Sequence, residues 1–189
     1  YIVFTSDNGY HMGDHRLMPG KMTAFETDIR VPLVVTGPHV LHGRKVARIA
    51  ENVDLCPTFD RLGRASVPHI VDGQSLVPLL RGQQAPSWRD AALVEHHGPD
   101  FGAAAGPDAP QAGSGNPSTY EALRLPHTTY VEYANGEREY YDLDSDPYEL
   151  TNTYSELSPD QVDALHSRLA GLENCHSAAA CRHAAGRGP

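Results

Sequence analysis

Apolar positions in this chain fall in short runs. Tyr1-Ile2-Val3-Phe4-Thr5 is an unbroken apolar stretch that reads as a buried strand, and it stops at the polar turn Ser6-Asp7-Asn8-Gly9. Residues 10–28 show no period and are punctuated by Gly13, Pro19 and Gly20. Val31 to Thr36 is a second β-branched run, with Pro32 confining it to an edge or to the start of a strand. Val53 to Leu62 has helical spacing, with Pro57 tolerable in the first turn and Gly63 as the stop. Ala91 to Glu95 predicts a further strand.

The second half carries stronger local signals. Thr128–Tyr133 and Glu139–Leu143 flank Asn135-Gly136, which predicts a hairpin whose two turn residues both take positive φ. Tyrosines on the two strands supply cross-strand packing, and they read as sheet residues rather than as an aromatic ligand site. Ser158 and Gln161 form a capping box with Pro159 at the first helical position. Val162, Leu165, Leu169 and Leu172 then share one helical face. Gly98 to Thr119 is rich in Gly, Ala and Pro and reads as a mobile loop, and the last dozen residues read as a frayed tail.

Composition narrows the class. The chain has 189 residues, with 24 acidic against 15 basic side chains and a formal net charge of −9, which argues against a nucleic-acid-binding role. No apolar run is long enough to cross a bilayer. Hydrophobic residues at 40% and charged residues at 21% suit a globular protein. The chain opens in the middle of an apolar strand, so N-terminal sequence is expected to be missing. Three cysteines leave three arrangements open: a Cys175–Cys181 disulfide with Cys56 buried and free, a metal site of Cys175, His176, Cys181 and His183, or reduced thiols.

Candidate chemistry concentrates near the first strand. Asp7 and Asn8 place a carboxylate and an amide oxygen side by side, a pairing that suits a hard cation such as Ca²⁺ or Mg²⁺. In open α/β sheets, ligands gather outside the carboxyl ends of strands. Asp-Asn-Gly taken alone is also an ordinary turn. Lys21, beside Gly20, could bring a positive charge to an anionic substrate on that metal. His11 and His15 are four apart, but Met12 stands where a zincin needs Glu. His15 reads as fixing the loop, and His11 as a candidate lining of the substrate pocket. Asp142, Asp144 and Asp146 imitate half an EF-hand, but Pro147 replaces its glycine, so they read as a turn. Glu95-His96-His97 reads as a solvated loop mouth.

The whole run from Tyr1 to Pro38, including Thr5-Ser6-Asp7-Asn8-Gly9, Gly20-Lys21 and Arg30-Val31-Pro32-Leu33, resembles the sulfatase family of the alkaline-phosphatase superfamily. The resemblance continues through Val53-Asp54-Leu55-Cys56-Pro57-Thr58, Asp72-Gly73-Gln74-Ser75-Leu76 and Tyr141-Asp142-Leu143 to Glu149-Leu150. The segment around Asp7 is especially similar to bacterial arylsulfatases and relatives of N-acetylglucosamine-6-sulfatase, pointing to an aryl or carbohydrate sulfate as substrate. The resemblance implies a Ca²⁺ site using Asp7 and Asn8, with Mg²⁺ second, and a sulfate contact at Lys21. It further implies a formylglycine nucleophile made from a Cys/Ser-x-Pro-x-Arg motif, which this chain lacks. Cys56 has the wrong spacing for that motif and reads as a small helix-packing residue.

The reading is therefore α/β: part of an alkaline-phosphatase-like mixed sheet with helices over residues 1–90, then a small antiparallel sheet packed by one helix over 91–174, then a tail over 175–189. The expected function is that of a sulfuric ester hydrolase whose nucleophile lies upstream, exported to the periplasm or outside the cell, with this portion inactive alone. A phosphonate or phosphate ester hydrolase of the same superfamily, or a non-catalytic sulfatase-like remnant, is the alternative.

Overall fold

The computed structural model describes residues 1–98 and 113–186. Its strands are β1 (Ile2–Phe4), β2 (Val34–Thr36), β3 (Ala92–His96), β4 (Tyr120–Arg124), β5 (Thr128–Tyr133) and β6 (Arg138–Asp142). Its α-helices are α1 (Glu26–Ile29), α2 (Leu55–Leu62), α3 (Val77–Leu80), α4 (Pro159–Glu173) and α5 (Ala178–Ala185). They group into two compact units drawn from separate stretches of chain. Tyr1–Thr5, Leu33–Ala92 and His166–Pro189 make one, and Ser6–Pro32 with Leu93–Leu165 makes the other. The division expected at residue 90 follows chain order, whereas these units interleave.

In the first unit, β1 and β2 pair antiparallel with Phe4 opposite Val34. The strand at Ile2–Phe4 forms as expected, but it is not buried: Ile2 is 70% and Phe4 64% exposed. Two three-residue strands have no face large enough to cover each other. Around α2 the packing is denser. The buried carboxylate of Asp54 accepts both guanidinium arms of Arg89, at 2.8 and 2.7 Å, and the backbone N–H groups of Glu51 and Gln74. Thr58 donates its hydroxyl to the Asp54 carbonyl and accepts from the Leu76 backbone, joining α2 to the start of α3. Cys56 is exposed rather than buried, because Pro57 and Thr58 take the inward face of α2.

The tail is also more ordered than its composition predicts. Cys175 and Cys181 form a disulfide, which settles the cysteine question against a metal site using their thiolates. Ser177 caps α5 through the Ala180 N–H, and the Ala185 carbonyl accepts from the Asp90 backbone and Arg168. Ala178–Ala185 is thus a helix rather than part of a frayed tail.

The second unit holds a sheet of order β3-β4-β5-β6, in which β4, β5 and β6 are antiparallel. The Asn135-Gly136 hairpin forms, though with a different turn. Tyr133 N–H bonds to the Glu137 carbonyl around three residues, and of the turn pair only Gly136 has positive φ, at 94°. That is a longer loop type whose last residue needs the left-handed region. β4 was not expected, since Tyr-Glu-Ala-Leu-Arg favours helix by local propensity. Its place between β3 and β5 overrides that preference, and Tyr120, Ala122 and Val131 form a core with Ala24. Asp142 accepts from Asp144 and Ser145 backbone N–H groups, and Asp146 from Thr151, so the acidic run is a turn as read. The capping box closes at Ser158 and Gln161 in both directions. Most of the Gly98–Thr119 segment lies outside the described residues, and its far end is anchored through Gly113 and Ser114.

Candidate functional site

Ser6 organises the turn that carries the two oxygen donors. Its hydroxyl stands 3.2 Å from Asp7 Oδ1 and 2.8 Å from the Asn8 carbonyl. The backbone N–H of Asn8, that of Asp7 itself and the Ser6 hydroxyl hold the exposed Asp7 carboxyl below the ordinary range, and the Lys21 ammonium adds a smaller pull. Asn8 donates its amide nitrogen to the Gly9 carbonyl at 2.7 Å, which orients the amide and leaves its oxygen available as an acceptor or ligand.

The segment that returns to Lys21 is fixed by a buried node. His11 and Gly20 form an antiparallel bridge, with N–H···O distances of 2.9 and 3.1 Å, so Lys21 stands across from Tyr10. His11 is fully buried and is not a pocket-lining residue as expected. Its Nδ1 lies 2.8 and 2.9 Å from the two carboxylate oxygens of Asp28, and its Nε2 lies 3.1 Å from the Ser114 carbonyl. Asp28 also accepts the backbone N–H and hydroxyl of Thr23, and its carbonyl accepts Gly9 N–H at 2.7 Å. A Cβ on Gly20 would fall 2.4 Å from the Ser114 oxygen, so this approach requires glycine. Asp28 therefore ties together the neighbour of Asn8 through its backbone carbonyl, and, through its carboxylate on His11, the bridge beside Lys21 and residue 114.

His15 fixes the outer loop, as read. Its ring stacks on Phe25 with centroids 3.7 Å apart, and both His15 and Arg16 hold positive φ, a conformation that costs free energy in non-glycine residues. Burial holds the His15 imidazole below its ordinary value, with Asp14 acting against it.

A second carboxylate cluster lies at α1. Burial pushes Glu26 up, but the hydrogen bond and charge of Arg124, with Arg30, outweigh it and leave the carboxyl below its ordinary range. Glu149, 3% exposed, accepts the Glu26 backbone N–H at 2.7 Å. Burial raises its carboxyl to about 7, partly opposed by that N–H and by Thr129. Among the described residues, neither the Thr129 hydroxyl nor Glu149 Oε1 makes a regular hydrogen bond, although both are buried.

Two readings of the histidine and cysteine positions can be placed. His96 packs its ring 5.4 Å from that of Tyr120, and among the described residues no group of three or more His, Cys, Asp or Glu side chains is arranged to hold a metal. Asp7 and Asn8 by themselves offer one ionised carboxylate and one neutral oxygen. That donor set fits a hard cation, but as part of a coordination shell rather than the whole of it.

Residues 13–110 match the family described as N-sulphoglucosamine sulphohydrolase, C-terminal. Over 96% of its length the chain is 33% identical to N-acetylglucosamine-6-sulfatase of Capra hircus, of which it covers 36%. Among solved structures, BT4656 in complex with its substrate D-glucosamine-2-N,6-O-disulfate matches with a TM-score of 0.70 at 26% identity, over 89% of this chain and 33% of that one. Phosphonate monoester hydrolase of Agrobacterium radiobacter matches with a TM-score of 0.69 at 34% identity, over 91% of this chain and 34% of that one. The chain spans about a third of the length of the relatives it matches.

Proposed function

Because the chain belongs to the sulfatase family, we propose that it is the C-terminal part of a sulfuric ester hydrolase and supplies one side of the active site. The observation that carries this reading is the Asp7 turn: a carboxylate that its own turn holds in the charged form, with a smaller pull from the Lys21 charge, beside an oriented amide. Asp7 and Asn8 are the residues that would hold Ca²⁺, which takes 6–8 oxygen ligands, so the remaining donors come from other parts of the polypeptide. A bound ion there supplies Lewis acidity toward the sulfuryl oxygens. Ser6 keeps Asp7 oriented and charged, and the Lys21 ammonium neutralises charge on a sulfuryl oxygen as it develops. The formylglycine nucleophile belongs to the remainder of the enzyme.

Two features support a larger whole. Ile2, Phe4 and Val34 on the strand pair, and Val53 and Phe59 at α2, are about half exposed or more, an apolar surface that calls for a covering partner. The rest of the same polypeptide is the partner that fits. The Cys175–Cys181 disulfide fits an exported protein, and no described helix is long and apolar enough to cross a membrane. The substrate class is an aryl or carbohydrate sulfate, with a sulfated sugar favoured by the name of the goat relative and by the ligand of BT4656.

The test is Asp7→Ala in the intact enzyme, read by calcium titration and by sulfate-ester hydrolysis. Calcium affinity should fall and most activity should disappear; unchanged calcium binding overturns the reading. A phosphonate monoester hydrolase is the second reading, favoured by the 34% identity to the Agrobacterium enzyme. Comparing kcat/KM on matched sulfate and phosphonate esters decides between them.

A further inference from the structure

We propose that the cleft lined by Arg44, Lys45, Arg48, Gly82, Gln83 and Gln84 binds a sulfated saccharide. All of these residues lie in the first unit, and neither Asp7, Asn8 nor Lys21 lines the cleft.

The cleft is built by the way α3 ends. Gly82 N–H bonds to the Leu79 carbonyl and Gln83 N–H to that of Pro78, which turns the chain sharply through Gly82 at φ 68°. Leu41 N–H bonds to the Leu80 carbonyl and fixes the basic segment beside this turn. A Cβ on Gly82 would sit 2.6 Å from Arg44 Nη1, so the guanidinium lies directly against the bare glycine. The cleft is open to solvent and has a volume of about 380 Å³, enough for a small molecule.

Charge selects the ligand. Acidic side chains outnumber basic ones over the whole chain, yet Arg44, Lys45 and Arg48 form no ion pair among the described residues. Three like charges within five residues repel one another unless an anion lies between them. Arginine's planar fork matches a sulfate oxygen pair, and the Gln83 and Gln84 amides offer both donors and acceptors to hydroxyls. Leu79 and Pro86 add apolar surface of the kind that the C–H faces of a sugar ring cover. A nucleic acid is disfavoured by the chain's net charge of −9.

The choice of a saccharide as carrier of the anion rests on the sulfatase reading, whereas anion capture by the cleft does not involve Lys21, so the two can fail separately. The experiment is calorimetric titration of the intact, calcium-free protein with sucrose octasulfate, sucrose and sodium sulfate. Sucrose octasulfate should bind, sucrose should not, and sodium sulfate should compete only weakly. R44Q combined with R48Q should weaken octasulfate binding by about tenfold or more, and K45E alone should weaken it in the same direction. Lys21→Ala should leave it within about twofold. Unchanged affinity in the cleft variants, loss of binding in Lys21→Ala, or sodium sulfate binding as tightly as octasulfate overturns the proposal.

Discussion

His11 and Asp28, 17 residues apart, meet in a fully buried pair in which Nδ1 stands within 2.9 Å of both carboxylate oxygens. The pair binds the two strands of the loop that separates Asn8 from Lys21, since Asp28 also holds Gly9 and Thr23. Their joint role is to set the spacing of the candidate ligands, with neither side chain exposed to a substrate.

Asp28→Ala should therefore destabilise the protein strongly. It leaves His11 Nδ1 and the two Thr23 donors buried without an acceptor, and such losses cost about 3 kcal/mol. Urea unfolding of the intact protein should show the midpoint falling, with Asp28→Asn less damaging. An unchanged midpoint in Asp28→Ala would show that the pair contributes nothing.

Gly9→Ala should disturb the turn that carries the proposed calcium ligands without removing either of them. A Cβ at residue 9 would stand 2.0 Å from the Thr27 carbonyl oxygen, so the backbone must shift and carry Asn8 with it. Calcium titration should report affinity reduced by about tenfold, with Asp7 and Asn8 both still present.

Glu149 makes stability depend on pH. Its carboxyl titrates near 7 in the folded protein, against 4.5 as the ordinary value. Below 4.5 both states hold the proton; between 4.5 and 7 the unfolded chain releases it first, so stability falls as pH rises, and above 7 the effect is constant. Glu149→Gln should remove that slope and be more stable than wild type at pH 8 by about 3 kcal/mol. Thermal melts of both proteins from pH 4.5 to 8 check this, and parallel curves would contradict it.

Opening the Cys175–Cys181 bridge should loosen the C-terminal helix first. The bridge spans a separation of six residues, and closing so small a loop stabilises by about 2 kcal/mol. Hydrogen exchange should accelerate over 178–185 in Cys175→Ser, while the Asp54–Arg89 region exchanges as before.

Sequence alone determined the features whose causes are local. The Asn135-Gly136 hairpin, the Ser158 cap with Pro159, the Asp142–Asp146 turn and the strand at Ala92–His96 each follow from neighbours a few residues apart. The ordered motifs around Asp7 likewise placed the chain in its family. Tertiary structure decided what depends on distant partners. His11 looked like a pocket-lining histidine because Asp28 and the Ser114 carbonyl, which bury it, lie 17 and 103 residues away. Tyr120–Arg124 gave no strand signal of its own, because the strand that recruits it follows in the chain. Glu149 gave no sign of a raised carboxyl, since its burial and its bond to the Glu26 backbone, 123 residues distant, arise only on folding. Local propensity is written in adjacent residues, whereas burial and the desolvation it brings belong to contacts that exist only once the chain has closed on itself.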